Sequence, residues 1–405
     1  MSSLSWLDFS EQDRRRALEV IDAFRERETV DELGIGTIRD GIAELLLPGT
    51  SIIHTRARYF FFIPWIYQRL ERKRVPSEKF GAEARRSELA LIELLLASGE
   101  TEGVLGRVAR SKLKILPSAI YWSALKRLGI RVFAGTREQY HRSVDRFYAR
   151  AHGALKDDDG QLADRLRTRN WHPRLPTPPD DFARRADLKL RPEEAVFLRE
   201  RIVFSAPTSL YRVLVEDESF RGEEKFPWQY ANLGSLPAPL REQIEHAWNF
   251  SEAIHGAPLL YNLMLAELCD NEERVTNYRQ RLGEWKSELD TRGSALARWD
   301  RTRFWQILAG AGARVSPATR SFVEQWLSFL PASSAEKLTT TRAARTLILE
   351  RERQLKRGQA RLDNQRAREL WRGDSGTARL VYRWDIASTM ALDILAGLPS
   401  AASHA

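Results

Sequence analysis

ARYFFFIPWIY, residues Ala57 to Tyr67, is the most hydrophobic stretch of this chain, and its reading decides the fold. A membrane span needs about 20 apolar residues. This run has 11, carries Pro64, and is flanked by Arg56, Arg58 and Arg69. It therefore reads as core, with Tyr59, Phe60, Phe61, Phe62, Trp65 and Tyr67 packed inside a soluble domain rather than spread as a base-stacking platform. Around it, helical spacing extends from about Ile52 to Arg72, with a kink expected at Pro64.

The same period continues in both directions. Ser10 and Asp13 resemble a capping box, followed by Ala17, Val20, Ile21 and Phe24 at helical spacing. Helices are expected at about Thr37 to Leu47, Ala82 to Ala97 and Ser118 to Leu128. Residues 156–192 break the pattern with three successive aspartates and five prolines, and read as a connector. Beyond it come helices at about Pro192 to Ile202, Pro239 to Cys269, Asn271 to Asp290, Ala297 to Ala309, Pro317 to Leu330, Ala335 to Trp371, and Thr377 to Leu398. Strands are hard to find, Arg131 to Phe133 being a short candidate, and no repeat of 20–50 residues is found. The fold class is all-α: a helical unit at 1–155, the connector at 156–192, and a second helical unit at 193–405.

Composition sets the outer bounds. With 405 residues, 43% of them apolar, 12 Trp and 17 Phe, the chain can bury two or three cores and is not disordered. A single cysteine, Cys269, excludes an internal disulfide and any Cys-rich zinc site, and fits a reducing compartment. The opening residues lack a secretory h-region, so the cytoplasm is expected. A net charge of +9 makes acidic polymers plausible partners.

Read as whole phrases, SWLDFSEQDRRRALEVIDAF, DELGIGTIRDGIAELLLPGTS, TRARYFFFIPWIY, LPSAIYWSALKRLGIR and HGAPLLYNLMLAEL make nearly the whole chain resemble an uncharacterised bacterial family, a domain of unknown function. The resemblance implies a place near antiphage-defence genes that include helicases and phospholipase-like nucleases, and so a DNA-related role. It transfers no catalytic residue.

The strongest local signal is electrostatic. Between Gly103 and Arg131, the residues Arg107, Arg110, Lys112, Lys114, Lys126, Arg127 and Arg131 face no Asp or Glu. LPSAIYWSALKRLGI within it has the form of a helix-turn-helix recognition helix, with Ile120, Leu125 and Leu128 packing and Tyr121, Ser123, Lys126 and Arg127 exposed. A second run, Thr341 to Arg372, nets +6 on an expected long helix, where Arg353, Lys356, Arg357 and Arg361 can grip phosphates and Leu347, Leu349, Leu355, Leu362 and Leu370 form its buried stripe. The plainer alternative for both runs is an ordinary solvated helix face.

Other motifs favour bland readings. ELGIGT, Glu32 to Thr37, offers two glycines before a helix, but no strand precedes it and no third glycine or lysine follows, so a helix-entry turn is expected. Glu252 with His255, and Glu138 with His141, have the carboxylate and imidazole spacing of dimetal bundles, yet structural histidines are expected instead. His54, His172, His246 and Ser251 define no triad, and no GxSxG elbow or Walker loop is present. No metal, cofactor or catalytic residue is expected. The leading reading is a non-catalytic nucleic-acid-binding subunit, with DNA ahead of RNA, docked to a protein partner and not to a membrane. A protein-only scaffold for an acidic partner and an enzyme of unrecognised type stand as alternatives.

Overall fold

Residues 31–153, 170–331 and 334–399 are described by the computed structural model, so the expected helix after Ser10 lies outside the described residues. Those residues are helical apart from loops and one isolated antiparallel bridge, Arg131 to Trp171. None of the helices is long and apolar enough to cross a membrane. The chain forms two compact units: residues 1–45 with 227–382, and 46–226 with 383–405. The units therefore interleave along the sequence, whereas the sequence reading sets them end to end.

Among the described residues the first unit begins with α1 (Gly36–Leu46), and the second holds α2 (Tyr59–Arg72), α3 (Ser77–Ala97), α4 (Pro117–Arg127), α5 (Arg137–Gly153), α6 (Pro192–Ser205) and α7 (Leu210–Glu216). In α2 every residue from Tyr59 to Tyr67 is buried, as a run without polar interruption requires. Phe182, from the stretch expected to be a connector, stacks on Phe62 and meets Trp65 edge-on, so this side chain joins the core while neighbours such as Arg184 and Lys189 stay exposed. Proline sets its local course without preventing burial, because Trp65 donates its indole N–H to the Pro176 carbonyl at 2.7 Å. Arg58 is buried and held by Glu194 in two 2.9 Å hydrogen bonds. The final helix, α17 (Trp384–Gly397), returns to this unit, and its Asp393 grips Arg56 at 2.6–3.0 Å.

The first unit resumes with α8 (Ala238–Ile254), α9 (Gly256–Leu268), α10 (Glu272–Thr291), α11 (Gly293–Ala297), α12 (Arg301–Gly310), α13 (Pro317–Phe329), α14 (Ala335–Thr340), α15 (Arg342–Lys356) and α16 (Gln365–Glu369). The single helix expected from Pro239 to Cys269 is two, parted at His255. A Cβ on Gly256 would lie 2.2 Å from the Trp285 ring, so only glycine admits the indole there. Trp285 and Trp326 then donate to the Glu252 and Ala253 carbonyls at 2.8 and 2.9 Å, satisfying acceptors at the end of α8.

Candidate nucleic-acid interface

The basic segment of the second unit begins in a loop, residues 98–116, between α3 and α4. Val104 and Leu105 are buried, and Leu105 N–H donates to the Tyr59 hydroxyl at 2.9 Å. Gly106 has φ +81, and a Cβ there would meet Leu113 at 2.7 Å and Ile92 at 2.9 Å. These anchors fold the loop back on itself through a 3-10 turn, Arg110–Lys112. They leave Arg107, Val108, Arg110, Lys112 and Lys114 facing water. Arg110 pairs with Glu93 at 3.2 Å, while Arg107, Lys112 and Lys114 have no side-chain partner among the described residues.

The recognition-helix reading of α4 needs correction. Its Tyr121 is fully buried, stacks on His54 at 4.1 Å, donates to the Arg56 carbonyl at 3.0 Å and accepts from Thr55 N–H at 2.9 Å. Burial pushes its phenol well above the usual range. Arg131 is 4% exposed, lies over the Trp122 ring at 4.5 Å, and donates to the Trp122, Phe133 and Gly135 carbonyls. Burial draws its pKa down to about 10. Neither side chain can reach a base. A tight turn of 3–4 residues also does not precede α4, since α3 ends at Ala97. Ser123, Lys126 and Arg127 remain exposed, with Lys126 donating to the Val132 carbonyl at 3.2 Å and Arg127 to the Ser205 carbonyl at 3.1 Å.

The second basic run is not one helix from Ala335 to Trp371. It breaks at Thr341 and again after Lys356, where Arg357 takes φ +49. The buried Glu352 carboxylate draws the chain back by accepting the Arg361 and Leu362 amides, each at 2.9 Å, and the Tyr261 hydroxyl at 2.6 Å. The cations then find internal partners. Arg353 pairs with Asp363 at 2.5 and 2.8 Å, Arg361 with Glu32 at 2.5 Å, and Lys356 with Glu32 and Glu352. Arg351 is buried against the Leu33 and Gly34 carbonyls. Only Arg357 of the four expected phosphate ligands is exposed without a described partner. The expected stripe also fails in part, because Leu355 is 43% and Leu370 74% exposed.

The remaining motifs have structural roles. The Asp31 carboxylate accepts the Ile35 and Gly36 amides at 2.8 and 2.7 Å, occupying the donors an anion would use at ELGIGT. Glu252 is bound to Arg379 and Glu138 to Arg137. His141 shares a 3.0 Å hydrogen bond with the Tyr67 hydroxyl, and burial holds its pKa near 4. Among the described residues no group of three His, Cys, Asp or Glu side chains is placed to hold a metal. A cleft of about 790 Å³ beside α14 is lined by Arg279 and Arg345, but both already share Glu267.

Sequence reasoning missed Phe204, which is 76% exposed with the Arg201 guanidinium over its ring at 4.8 Å. It lies seven residues from buried Phe197, so helical spacing places it on the core stripe, and only the end of α6 at Ser205 carries it out into solvent. Neither the curated proteins nor the solved structures contain a match to the chain. A family model described as "Family of unknown function (DUF6361)" matches residues 1–397. With that match spanning nearly its whole length, the chain belongs to the DUF6361 family.

Proposed function

We propose that this protein is a non-catalytic nucleic-acid-binding subunit that holds the phosphate backbone on the loop between α3 and α4. The observation that carries this reading is the trio Arg107, Lys112 and Lys114, exposed and without described partners in a 29-residue stretch lacking any carboxylate. Lysine and arginine displayed this way bind phosphate by charge and release condensed counterions. Lys126 and Arg127 extend the cationic surface, while burial takes Tyr121 and Arg131 out of reach of a base. The C-terminal cations, being internally paired, serve mainly to hold the first unit together. DNA as the polymer, a protein partner, and an antiphage-defence complex as the setting rest on the family resemblance of the sequence.

The test is titration of duplex and single-stranded oligonucleotides against the parent and an Arg107→Ala/Lys112→Ala/Lys114→Ala variant across about 50–300 mM salt. Each phosphate contact adds about 0.9 to the log–log salt slope on duplex, so the variant's slope should be shallower by about 2 to 3. Absence of binding at about 50 mM salt overturns the reading and leaves an acidic protein surface as the partner of these cations.

A further inference from the structure

Residues 107–112, RVARSK, form the tip of the loop between α3 and α4, and all six are exposed. Within this tip Val108 is 90% exposed, the largest exposure among the described large hydrophobic residues. The tip is held from both ends. Before it, the Thr55 hydroxyl donates to the Gly103 carbonyl at 2.7 Å, and a Cβ on Gly103 would lie 2.4 Å from Arg56 Cγ. Within and after it, the Arg110 amide donates to the Gly106 carbonyl at 2.7 Å, the Lys112 amide to the Ala109 carbonyl at 2.8 Å and the Leu113 amide to the Arg110 carbonyl at 3.0 Å. Arg85 Nη2 adds a 3.4 Å hydrogen bond to the Ser111 carbonyl. Arg107 precedes Val108, and Arg110, Lys112 and Lys114 follow it, so cations flank one aliphatic side chain along the chain. The tip itself contains no carboxylate; Glu93 of α3 pairs with Arg110 at 3.2 Å, and the exposed Glu102 precedes the Gly103 anchor.

We infer that this tip enters the minor groove of double-stranded DNA, with Val108 against the base edges at the groove floor and the flanking cations on the phosphates of the two walls. The inference rests on the nucleic-acid reading above and adds the strandedness and the groove. An aliphatic side chain has no π face to offer an unpaired base, and what covers it on nucleic acid is a groove floor or an opened base step. The minor groove of B-DNA is about 6 Å wide, which suits a single stretch of chain and not an α-helix. Phosphate rows on both walls match cations on both sides of the apolar residue. The β-branched side chain is stiff and the backbone beneath it is pinned, so little entropy is lost on contact. The groove floor then sets a preference. Guanine places an amino group in the minor groove where A·T pairs have none, so the Val108 isopropyl group meets a bare floor on A·T pairs, whose tracts also have the narrower and more negative groove.

The test uses three DNA hairpins with stems of about 16 base pairs, built from A·T, G·C or inosine·C pairs, in fluorescence anisotropy at about 50 mM salt. An inosine·C pair keeps the major groove of G·C but lacks the guanine amino group, so its minor groove carries the pattern of A·T. The parent should bind the A·T and inosine·C stems alike and the G·C stem at least about fivefold more weakly. Val108→Ala should bring all three affinities within about twofold of one another, whereas Val108→Ile should keep the parental order. If the inosine·C stem sorts with G·C, if the parent binds all three alike, or if Val108→Ala keeps the full preference, minor-groove entry is refuted while backbone binding stands. Binding of single strands but of no hairpin refutes it in the same way. If the parent binds no nucleic acid at all, both readings fall together.

Discussion

Arg131→Ala and Lys112→Ala remove cations from the same carboxylate-free stretch, and the structure predicts opposite consequences. Arg131 is 4% exposed and satisfies the carbonyls of Trp122, Phe133 and Gly135, with its guanidinium over the Trp122 ring. A hydrogen bond to a charged donor contributes about 1.5–3 kcal/mol, and three carbonyls share this donor. Against that stands the desolvation of a buried cation without a carboxylate partner, which cancels part of the gain. The net loss expected for Arg131→Ala is about 2–4 kcal/mol, within the range for breaking a buried polar network. Lys112 is exposed and its ammonium has no ion-pair or hydrogen-bond partner among the described residues, so Lys112→Ala should stay within about 0.5 kcal/mol of the parent. Urea denaturation followed by tryptophan fluorescence reads both, because Trp122 lies under the guanidinium. Nucleic-acid titration well below the unfolding midpoint supplies the second axis: Arg131→Ala should bind with parental affinity and Lys112→Ala more weakly. An Arg131→Ala protein as stable as the parent, or one that loses binding without losing stability, refutes the assignment of this arginine to the core.

Two glycines in helices of the first unit should respond with opposite signs. Gly256→Ala must displace the Trp285 ring and should cost about 2–4 kcal/mol, whereas Gly283, with nothing within 4 Å of a Cβ, should gain about 0.5–1 kcal/mol as Ala; denaturant midpoints check both. Burial holds the folded-state pKa of His54 near 3, below its ordinary 6.5, so it stays neutral in the fold. Its contribution is therefore full above pH 6.5 and is lost as pH falls toward 3, at up to about 1.4 kcal/mol per pH unit. Its C2–H resonance should not shift between pH 7 and 4, and His54→Gln should flatten the stability profile over that window by one proton.

Much of the helical pattern was legible because the chain writes its own caps. Asn271, Asp300 and Ser316 each accept an amide three residues on, where α10, α12 and α13 begin. What escaped sequence reading depends on partners distant in the chain. The break at His255 follows from Trp285, and the end of α15 follows from Glu352 capturing amides nine and ten residues later. The charge count located the basic loop but could not separate Lys112 from Arg131, since that difference is one of burial against Trp122. Nor could it see that Glu32 neutralises Lys356 and Arg361 from more than 300 residues away. Phe204 was hidden by its own periodicity, which matches that of buried Phe197.

Backbone binding on the loop between α3 and α4 is tested most directly by lysine acylation footprinting of the full chain, read by mass spectrometry with and without saturating oligonucleotide at low salt. Lys112, Lys114 and Lys126 are exposed in the second unit, and Lys337 is exposed in the first. The account predicts that nucleic acid protects Lys112, Lys114 and Lys126 severalfold while Lys337 reacts at an unchanged rate. Unchanged reactivity at Lys112 and Lys114 under saturating oligonucleotide would contradict it.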